Sequence, residues 1–148
     1  MLTRFLPCEI FVIFLLATSC QFVIAGEAEK IAWNSDLSEA LAESKQSGQP
    51  LLLFVMIDNC PYCLKMKRTS FLDDQVTKQI GQSYIAAQVN AANYRQYIRD
   101  LGVQLFPSTV IISPDNKIID RISGYLNAQA LNRRLLSASQ RARIARKP

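Results

Sequence analysis

Histidine is the most informative absence in the 148-residue sequence, because it does not occur at all. A catalytic triad or dyad built on imidazole is therefore impossible within this chain, and so is a metal site with imidazole ligands. Acid–base and nucleophilic chemistry must come from Cys, Asp, Glu, Lys, Tyr or water. Glycine and proline are also scarce, with five and six residues. The overall composition of the sequence, 49% hydrophobic and 20% charged, is typical of one ordinary globular domain.

Acidic residues are missing from the C-terminal end. The segment from Arg133 to Pro148 holds six basic residues and no acid, whereas residues 26–132 hold ten basic and eleven acidic residues. The net charge of +5 therefore arises at the terminus. We interpret residues 141–148 as a solvated basic tail that follows a domain over residues 26–140. No aromatic residue separates these arginines, so nucleic-acid binding is not expected.

Long apolar runs are also missing. The N-terminus has Arg4, then the eight-residue apolar run Ile10–Ala17, then a short apolar piece that ends at Ala25. These pieces are shorter than the ~20 residues that a membrane-spanning helix needs, which disfavours a retained anchor. They predict a signal peptide over residues 1–25 and a secreted or periplasmic mature protein. The weaker alternative is a lipid anchor at Cys20, and membrane contact is expected only through the leader or the basic tail.

Cysteine is scarce as well, with four residues, of which Cys8 and Cys20 lie in the predicted leader. Cleavage would leave only Cys60 and Cys63. A disulfide between residues three apart closes too short a loop to stabilise a fold much. Two cysteines in a chain without histidine cannot by themselves complete a four-ligand zinc site. Redox chemistry is the interpretation that remains for this Cys-x-x-Cys motif.

Hydrophobic periodicity, caps and turn residues predict an α/β fold with five helices and four strands. The unbroken apolar run Leu51–Ile57 is typical of a central strand that is buried on both faces. The turn residues 114–117 predict an antiparallel hairpin between the last two strands. The order is an extra N-terminal helix, a βαβ unit and a ββα unit around a mixed four-stranded sheet. The five predicted helices are residues 36–48, a helix that begins at Pro61, a helix from 73 or 74 to 80 that ends at Gly81, residues 93–101 and residues 127–139. The three other predicted strands are residues 84–89, 109–113 and 118–122.

This order resembles that of the thioredoxin-like superfamily over residues 33–136. The residues that carry the resemblance are the strand that runs into Asp58-Asn59-Cys60-Pro61-Tyr62-Cys63, the segment Phe106-Pro107-Ser108-Thr109, and Gly124 after the hairpin. Four further features are similar to those of exported bacterial thioredoxin-like proteins: Trp33, Gln49-Pro50, Ser70-Phe71-Leu72-Asp73 and Pro114-Asp115-Asn116-Lys117. The resemblance implies a thioredoxin fold flanked by helices.

Cys60 and Cys63 are the predicted catalytic residues. The N-terminus of a helix stabilises a thiolate, so Cys60 is the expected nucleophile. Cys63 lies one turn further along and is the expected resolving thiol. The resemblance implies that Pro107 is a cis-proline facing the pair, and that Phe106, together with Tyr62, contacts an extended substrate segment.

Two positions depart from thioredoxins proper. Phe54 stands where those proteins have a buried carboxylate, and Asn59 stands where they have tryptophan. Proton transfer from Cys63 would then need another base, for which Asp58 is the candidate, or water. The segment 123–126 does not match the glutathione-binding segment of glutaredoxins.

The leading hypothesis is an exported thiol–disulfide oxidoreductase that reduces or reshuffles protein disulfides and has no cofactor and no metal. Its expected partners are proteins with disulfides or thiols and an upstream redox protein. Two alternatives stay open. One is a non-catalytic thioredoxin-like binding or chaperone module, which the intact Cys60/Cys63 pair disfavours. The other is a metal or iron–sulfur carrier in which Cys60 of two protomers shares a cluster.

Overall fold

The computed structural model describes residues 30–145. The predicted signal peptide and the last three residues of the basic tail lie outside this range. No helix within residues 30–145 is long and apolar enough to cross a membrane. The elements are α1 (Leu37–Ser47), β1 (Leu51–Met56), α2 (Pro61–Arg68), α3 (Asp74–Ser83), β2 (Ile85–Asn90), α4 (Arg95–Asp100), β3 (Ser108–Ile112), β4 (Ile118–Ser123) and α5 (Ala128–Ala145), with short 3₁₀ turns at Ser70–Leu72 and Ala91–Tyr94.

The four strands form one mixed sheet in the order β2-β1-β3-β4. β1 pairs in parallel with β2 and antiparallel with β3, and β3 pairs antiparallel with β4. This arrangement confirms the predicted βαβ and ββα units, with α1 as the extra N-terminal helix. β1 is central, and residues 51–55 are fully buried, as the unbroken apolar run predicts.

Alternate residues of β1 point to two separate apolar layers, because successive side chains of a strand point to opposite faces. Leu52 and Phe54 lie in the layer that contains both cysteines, under α2, α3 and α5. Leu51, Leu53 and Val55 lie in the opposite layer, under α1 and α4. The cysteine face of the sheet is thus defined by the even-numbered residues of β1.

The boundaries of α1 agree with the capping residues in the sequence. The Asp36 side chain accepts hydrogen bonds from the backbone N–H groups of Ser38 and Glu39. Gly48 ends the helix in the left-handed region with φ 71°, a conformation that glycine adopts without steric cost. The helix therefore delivers the chain directly to β1.

Two predicted boundaries on the β2 side of the sheet are wrong. α3 does not end at Gly81 but continues to Ser83, because Ile80 and Ser83 are buried and the Tyr84 N–H still donates to the Ile80 carbonyl. β2 consequently begins at Ile85 rather than Tyr84. A glycine ends a helix only when it takes the left-handed conformation, which Gly81 does not.

The segment predicted as one helix over 93–101 is divided. The 3₁₀ turn Ala91–Tyr94 precedes the six-residue helix α4, and Gly102 closes it with φ 68°. The Asn90 side chain caps the turn by accepting from the Ala92 N–H. This cap starts the turn two residues before the predicted helix.

The last helix is longer than predicted. Instead of ending at about Ser139, α5 continues to Ala145, with Ala138 and Ala142 buried. Arg141 forms an ion pair with Asp120 of β4 at 3.0 Å. The predicted boundary between residues 140 and 141 therefore falls inside a helix, and Arg141 belongs to the folded domain rather than to a solvated tail.

Candidate active site

The cysteine motif begins where β1 leaves the sheet. Asp58 and Asn59 form a turn, and Asn59 has a φ of 52°, a left-handed conformation that asparagine tolerates better than most residues. Cys60 then occupies the N-cap position of α2, and Pro61 is the first helical residue. Proline fits this position because its missing N–H would have no helical partner there.

Cys60 and Cys63 form a disulfide, with 2.06 Å between the two sulfur atoms and 5.3 Å between the two Cα atoms. The Cys60 Sγ also accepts a hydrogen bond of 3.2 Å from the backbone N–H of Cys63. The exposed fraction is 8% for Cys60 and 2% for Cys63. Cys60 is thus the cysteine at the helix N-terminus and the residue of the pair with the larger exposed fraction, as expected of a nucleophile.

An apolar layer lies beneath the disulfide. Phe54 is fully buried in the cluster that contains both cysteines. Its ring packs edge-on against Phe71, with 4.9 Å between centroids, and Phe71 packs in the same way against Trp33 at 5.0 Å. Trp33 therefore belongs to the packed layer rather than to the reacting surface. The buried polar side chains of residues 30–145 are serines and threonines, so no carboxylate is buried beside the pair.

Asp58 lies at the edge of the site. Its carboxylate accepts a hydrogen bond of 2.8 Å from the Asn90 side-chain amide, and Asp58 itself is exposed. This bond joins the turn before Cys60 to the end of the neighbouring strand β2, so it positions the loop. The proposed role of Asp58 in proton transfer stays a prediction.

The segment before β3 contributes the other predicted residues. The Phe106–Pro107 peptide bond is cis, as the resemblance implies. Pro107 is buried, and its carbonyl accepts a hydrogen bond of 2.8 Å from the Gly124 N–H. Phe106 packs against the cluster that contains both cysteines. The structure therefore brings this segment to the same end of the sheet as the cysteine pair.

Gly124 illustrates why the segment after β4 requires a glycine. Its φ is 82°, and a Cβ placed there would meet no atom within 4 Å. Backbone conformation rather than crowding demands glycine at this position. The resulting turn presents its N–H to Pro107.

Exposed apolar side chains flank the two segments. We call them the apolar rim; their exposed fractions are 42% for Ile57, 60% for Tyr62, 50% for Leu64 and 62% for Leu105. Tyr62 is the rim residue that was predicted from the sequence to contact substrate. The other three were missed, although their positions within four residues of Cys60 or of Pro107 could have indicated them.

A small cationic–aromatic contact also lies on α2. The Lys65 ammonium is 4.7 Å from the ring centroid of Tyr125, and the Tyr125 ring is 6.4 Å from that of Tyr62. Tyr125 was not among the site residues predicted from the sequence, although it follows Gly124 directly. The contact joins the cysteine helix to the segment after β4.

A thioredoxin fold with a disulfide-forming Cys-x-x-Cys pair at the start of a helix defines a class of protein domain, the thiol–disulfide oxidoreductases of the thioredoxin type. Residues 37–139 match the thioredoxin-like domain family. The chain belongs to that family.

Two curated relatives share part of their length with this chain. The thiol:disulfide interchange protein DsbD of Yersinia enterocolitica is 28% identical in an alignment of 105 residues that covers 68% of this chain and 18% of that protein. The human anterior gradient protein 2 homolog is 21% identical over 104 residues, which are 70% of this chain and 58% of that protein. The chain thus spans about a fifth of the first relative and less than two thirds of the second.

Solved structures have the same fold. The DsbH oxidoreductase superimposes with a TM-score of 0.68 at 23% identity, over 76% of this chain and 87% of that one. The Thermus thermophilus thioredoxin superimposes with a TM-score of 0.72 at 19% identity, over 80% of this chain and 94% of that one.

Proposed function

We propose that this chain is an exported thiol–disulfide oxidoreductase that reduces or reshuffles disulfides of other proteins through Cys60 and Cys63. The observation that carries the proposal is the bonded cysteine pair whose more exposed residue, Cys60, lies at the N-terminus of α2. A helix N-terminus favours the thiolate form, and the thiolate is the species that attacks disulfides.

The reaction proceeds in two exchanges. In the reduced protein the Cys60 thiolate attacks one sulfur of a client disulfide, so that a mixed disulfide forms and the other client sulfur leaves as a thiolate. The Cys63 thiolate then attacks the Cys60 sulfur, which releases the second client thiolate and forms the Cys60–Cys63 disulfide. Two electrons pass from the pair to the client, and a thiol-bearing redox partner must return them before the next cycle.

The surroundings of the pair favour a protein as the client. The apolar rim offers exposed side chains on both sides of the cysteines, which suits contact with a polypeptide surface. By contrast, the groove of about 660 Å³ beside Trp33 and Tyr84 is lined by neither cysteine. We propose that Phe106 and Pro107 contact the client segment next to its disulfide.

Single-cysteine variants test the proposal. Cys60→Ser should abolish reduction of the insulin disulfides, because the attacking sulfur is lost. Cys63→Ser should accumulate mixed disulfides with client proteins, because the resolving sulfur is lost. Non-reducing gels and mass spectrometry of the captured proteins measure both outcomes. Equal trapping by the two variants would contradict the assigned roles, and an inactive unmodified chain would favour the binding-module alternative.

Export and electron supply are tested separately. The predicted leader supports a periplasmic or secreted mature protein with only two thiols. Intact-mass spectrometry of the envelope fraction should find a chain that begins after Ala25; a mass that includes residues 1–25, or acyl chains on Cys20, would reject this cleavage. Equilibration of the Cys60–Cys63 pair with glutathione measures its reduction potential and thus the direction in which the partner delivers electrons.

A further inference from the structure

Two buried oxygen atoms flank Phe54 without a hydrogen-bond partner among residues 30–145. They are Oγ1 of Thr109 on β3 and Oε1 of Gln88 on β2. Phe54 pairs with Thr109 on one side and with Gln88 on the other. Side chains of directly paired residues share a face of the sheet, so both oxygens belong to the cysteine face.

The Thr109 hydroxyl is the more deeply buried of the two groups. Thr109 is 1% exposed, whereas Gln88 is half-buried. Buried hydroxyls are nearly always hydrogen-bonded, because an unmade bond leaves the full cost of removing the group from water. At this depth the Thr109 hydroxyl, which has no partner among residues 30–145, is available to donate to an acceptor on the same face of the sheet.

Thr109 lies at the end of the sheet that carries the disulfide. It is two residues beyond Pro107, and it pairs with Phe54 on β1 and Ile122 on β4. Phe54 and Ile122 are members of the buried cluster that contains Cys63. The hydroxyl is therefore enclosed by the same apolar layer as the resolving sulfur.

Cys63 is the sulfur that needs a polar contact once the disulfide opens. It is 2% exposed and lies among apolar neighbours, and burial disfavours the thiolate form. No Asp or Glu within residues 30–145 is buried, and the buried side chain that β1 contributes here is Phe54. An opened disulfide thus leaves a buried sulfur on the same face of the sheet as the Thr109 hydroxyl, which has no hydrogen-bond partner among residues 30–145.

We propose that, in the open form of the site, the Thr109 hydroxyl donates a hydrogen bond to the Cys63 sulfur and so favours the thiolate that resolves the mixed disulfide. The inference rests on the proposed function. The Cys63 proton passes to water, the Cys63 electron pair forms the bond to Cys60, and the client sulfur leaves with the electrons of the broken bond. Thr109 keeps its own proton throughout.

Other titratable groups around the site have different partners or lie at the surface. Tyr84 is in the same buried cluster, but its hydroxyl donates to the Leu135 carbonyl. Asp58 is exposed and accepts from Asn90, and Lys65 contacts the Tyr125 ring. The remaining charged groups on neighbouring elements are Lys67 and Arg68 on α2, Asp73 and Asp74 at the start of α3, Lys78 further along α3, Asp120 and Arg121 on β4, and Arg133, Arg134, Arg141 and Arg143 on α5.

A stopped-flow reaction with an aromatic disulfide reagent, 5,5′-dithiobis(2-nitrobenzoate), separates the two exchanges. The full chain with Cys8→Ser and Cys20→Ser has Cys60 and Cys63 as its only thiols. The first released thiolate reports attack by Cys60 and depends on reagent concentration. The second reports attack by Cys63 and does not. The rate of the second phase is followed against pH.

When the rate of the second phase is plotted against pH, Thr109→Val and Thr109→Ala should each move the inflection upward by about one pH unit. Below the inflection, both variants should slow the second phase about tenfold. Thr109→Ser should stay within about twofold of the unmodified chain, because it keeps the hydroxyl. The first phase should be unchanged in all three. Valine and alanine remove the hydroxyl while leaving different volumes, so a packing defect in one cannot produce the same shift in both.

Two matched controls complete the test. Thr77→Val removes a buried hydroxyl that donates to the Asp74 carbonyl within α3, and Gln88→Leu removes the other unpartnered oxygen. Both should leave the second phase within about twofold. An unshifted inflection in both Thr109 variants, or a shift produced by Gln88→Leu instead, would overturn the inference. Absence of the second phase from the unmodified chain would reject the proposed function instead.

Discussion

Replacing Asp120 by asparagine is expected to lower the free energy of unfolding by about 2 kcal/mol at neutral pH. The Asp120 carboxylate joins β4 to α5 through two arginines. Arg134 donates from Nε at 3.0 Å, and Arg141 lies at 3.0 Å from the same oxygen. The Asp120 side chain is only 11% exposed, so asparagine would remove a largely buried charge from both partners.

The size of the expected loss in the free energy of unfolding depends on how exposed the two arginine side chains are. Hydrogen bonds to charged groups contribute about 1.5–3 kcal/mol each when buried. Both arginine side chains are 47% exposed, so water would solvate them once the carboxylate is lost. Solvation reduces the loss by about half, which leaves about 2 kcal/mol and a fall in melting temperature of roughly 8 °C.

The dependence on pH provides the more discriminating measurement. Burial by itself raises the pKa of Asp120, but the hydrogen bonds and charges of Arg134 and Arg141 outweigh it and hold the pKa below its ordinary value. Because the folded state has the lower pKa, the stabilisation is complete above the unfolded value of about 3.9 and is lost as pH falls through the folded pKa. The two proteins should therefore differ by a constant amount from pH 5 to 8 and converge below about pH 4.

Urea unfolding at several pH values is the assay. The control is Asp115→Asn, because Asp115 and its partner Lys117 are both exposed and their ion pair should contribute nothing measurable. An Asp120→Asn variant as stable as the unmodified chain at pH 7 would refute the reasoning. So would a difference that persists unchanged at pH 3.

Two further predictions concern the end of α5 and the apolar rim. Deleting residues 142–148 should lower the melting temperature, because Ala142 is buried and the helix continues to Ala145. Deletion of residues 146–148 is the control. Equal melting curves for the two deletions would contradict a packed helix end. Leu105→Ser should raise KM for insulin severalfold and leave turnover of a small neutral disulfide unchanged. Leu136 is an exposed leucine on α5, and the control Leu136→Ser should change neither quantity. An unchanged KM for Leu105→Ser would exclude the apolar rim from client binding.

Much of the cysteine site could be predicted because its signals are local. Cys60 precedes a proline that suits the first turn of a helix, and the helix follows a strand whose apolar run is unbroken. Caps act over two or three residues, as Asp36 and Gly48 do at the two ends of α1. Such features depend on neighbours along the chain, so the sequence alone indicates them.

The end of α5 could not be predicted in the same way. Alanine gives a weak apolar signal, so Ala138 and Ala142 do not mark a buried face in the sequence. Their burial depends on the sheet beneath them, and the ion pair of Arg141 is formed with Asp120, which lies 21 residues earlier in the sequence. The basic residues of segment 141–148 therefore indicated a solvated tail, although Arg141, the first of them, is part of the fold.

The sequence by itself determined the α/β order, the central strand and the identity of the redox pair, because caps, apolar runs and cysteine spacing act over a few residues. Tertiary structure alone decided what surrounds the pair. Phe54 lies between Thr109 and Gln88 because three strands distant in sequence pair in one register, and the same register leaves the two oxygens beside Phe54 buried without partners among residues 30–145. Strand register depends on the packing of whole faces, and no local pattern encodes which side chains then become neighbours.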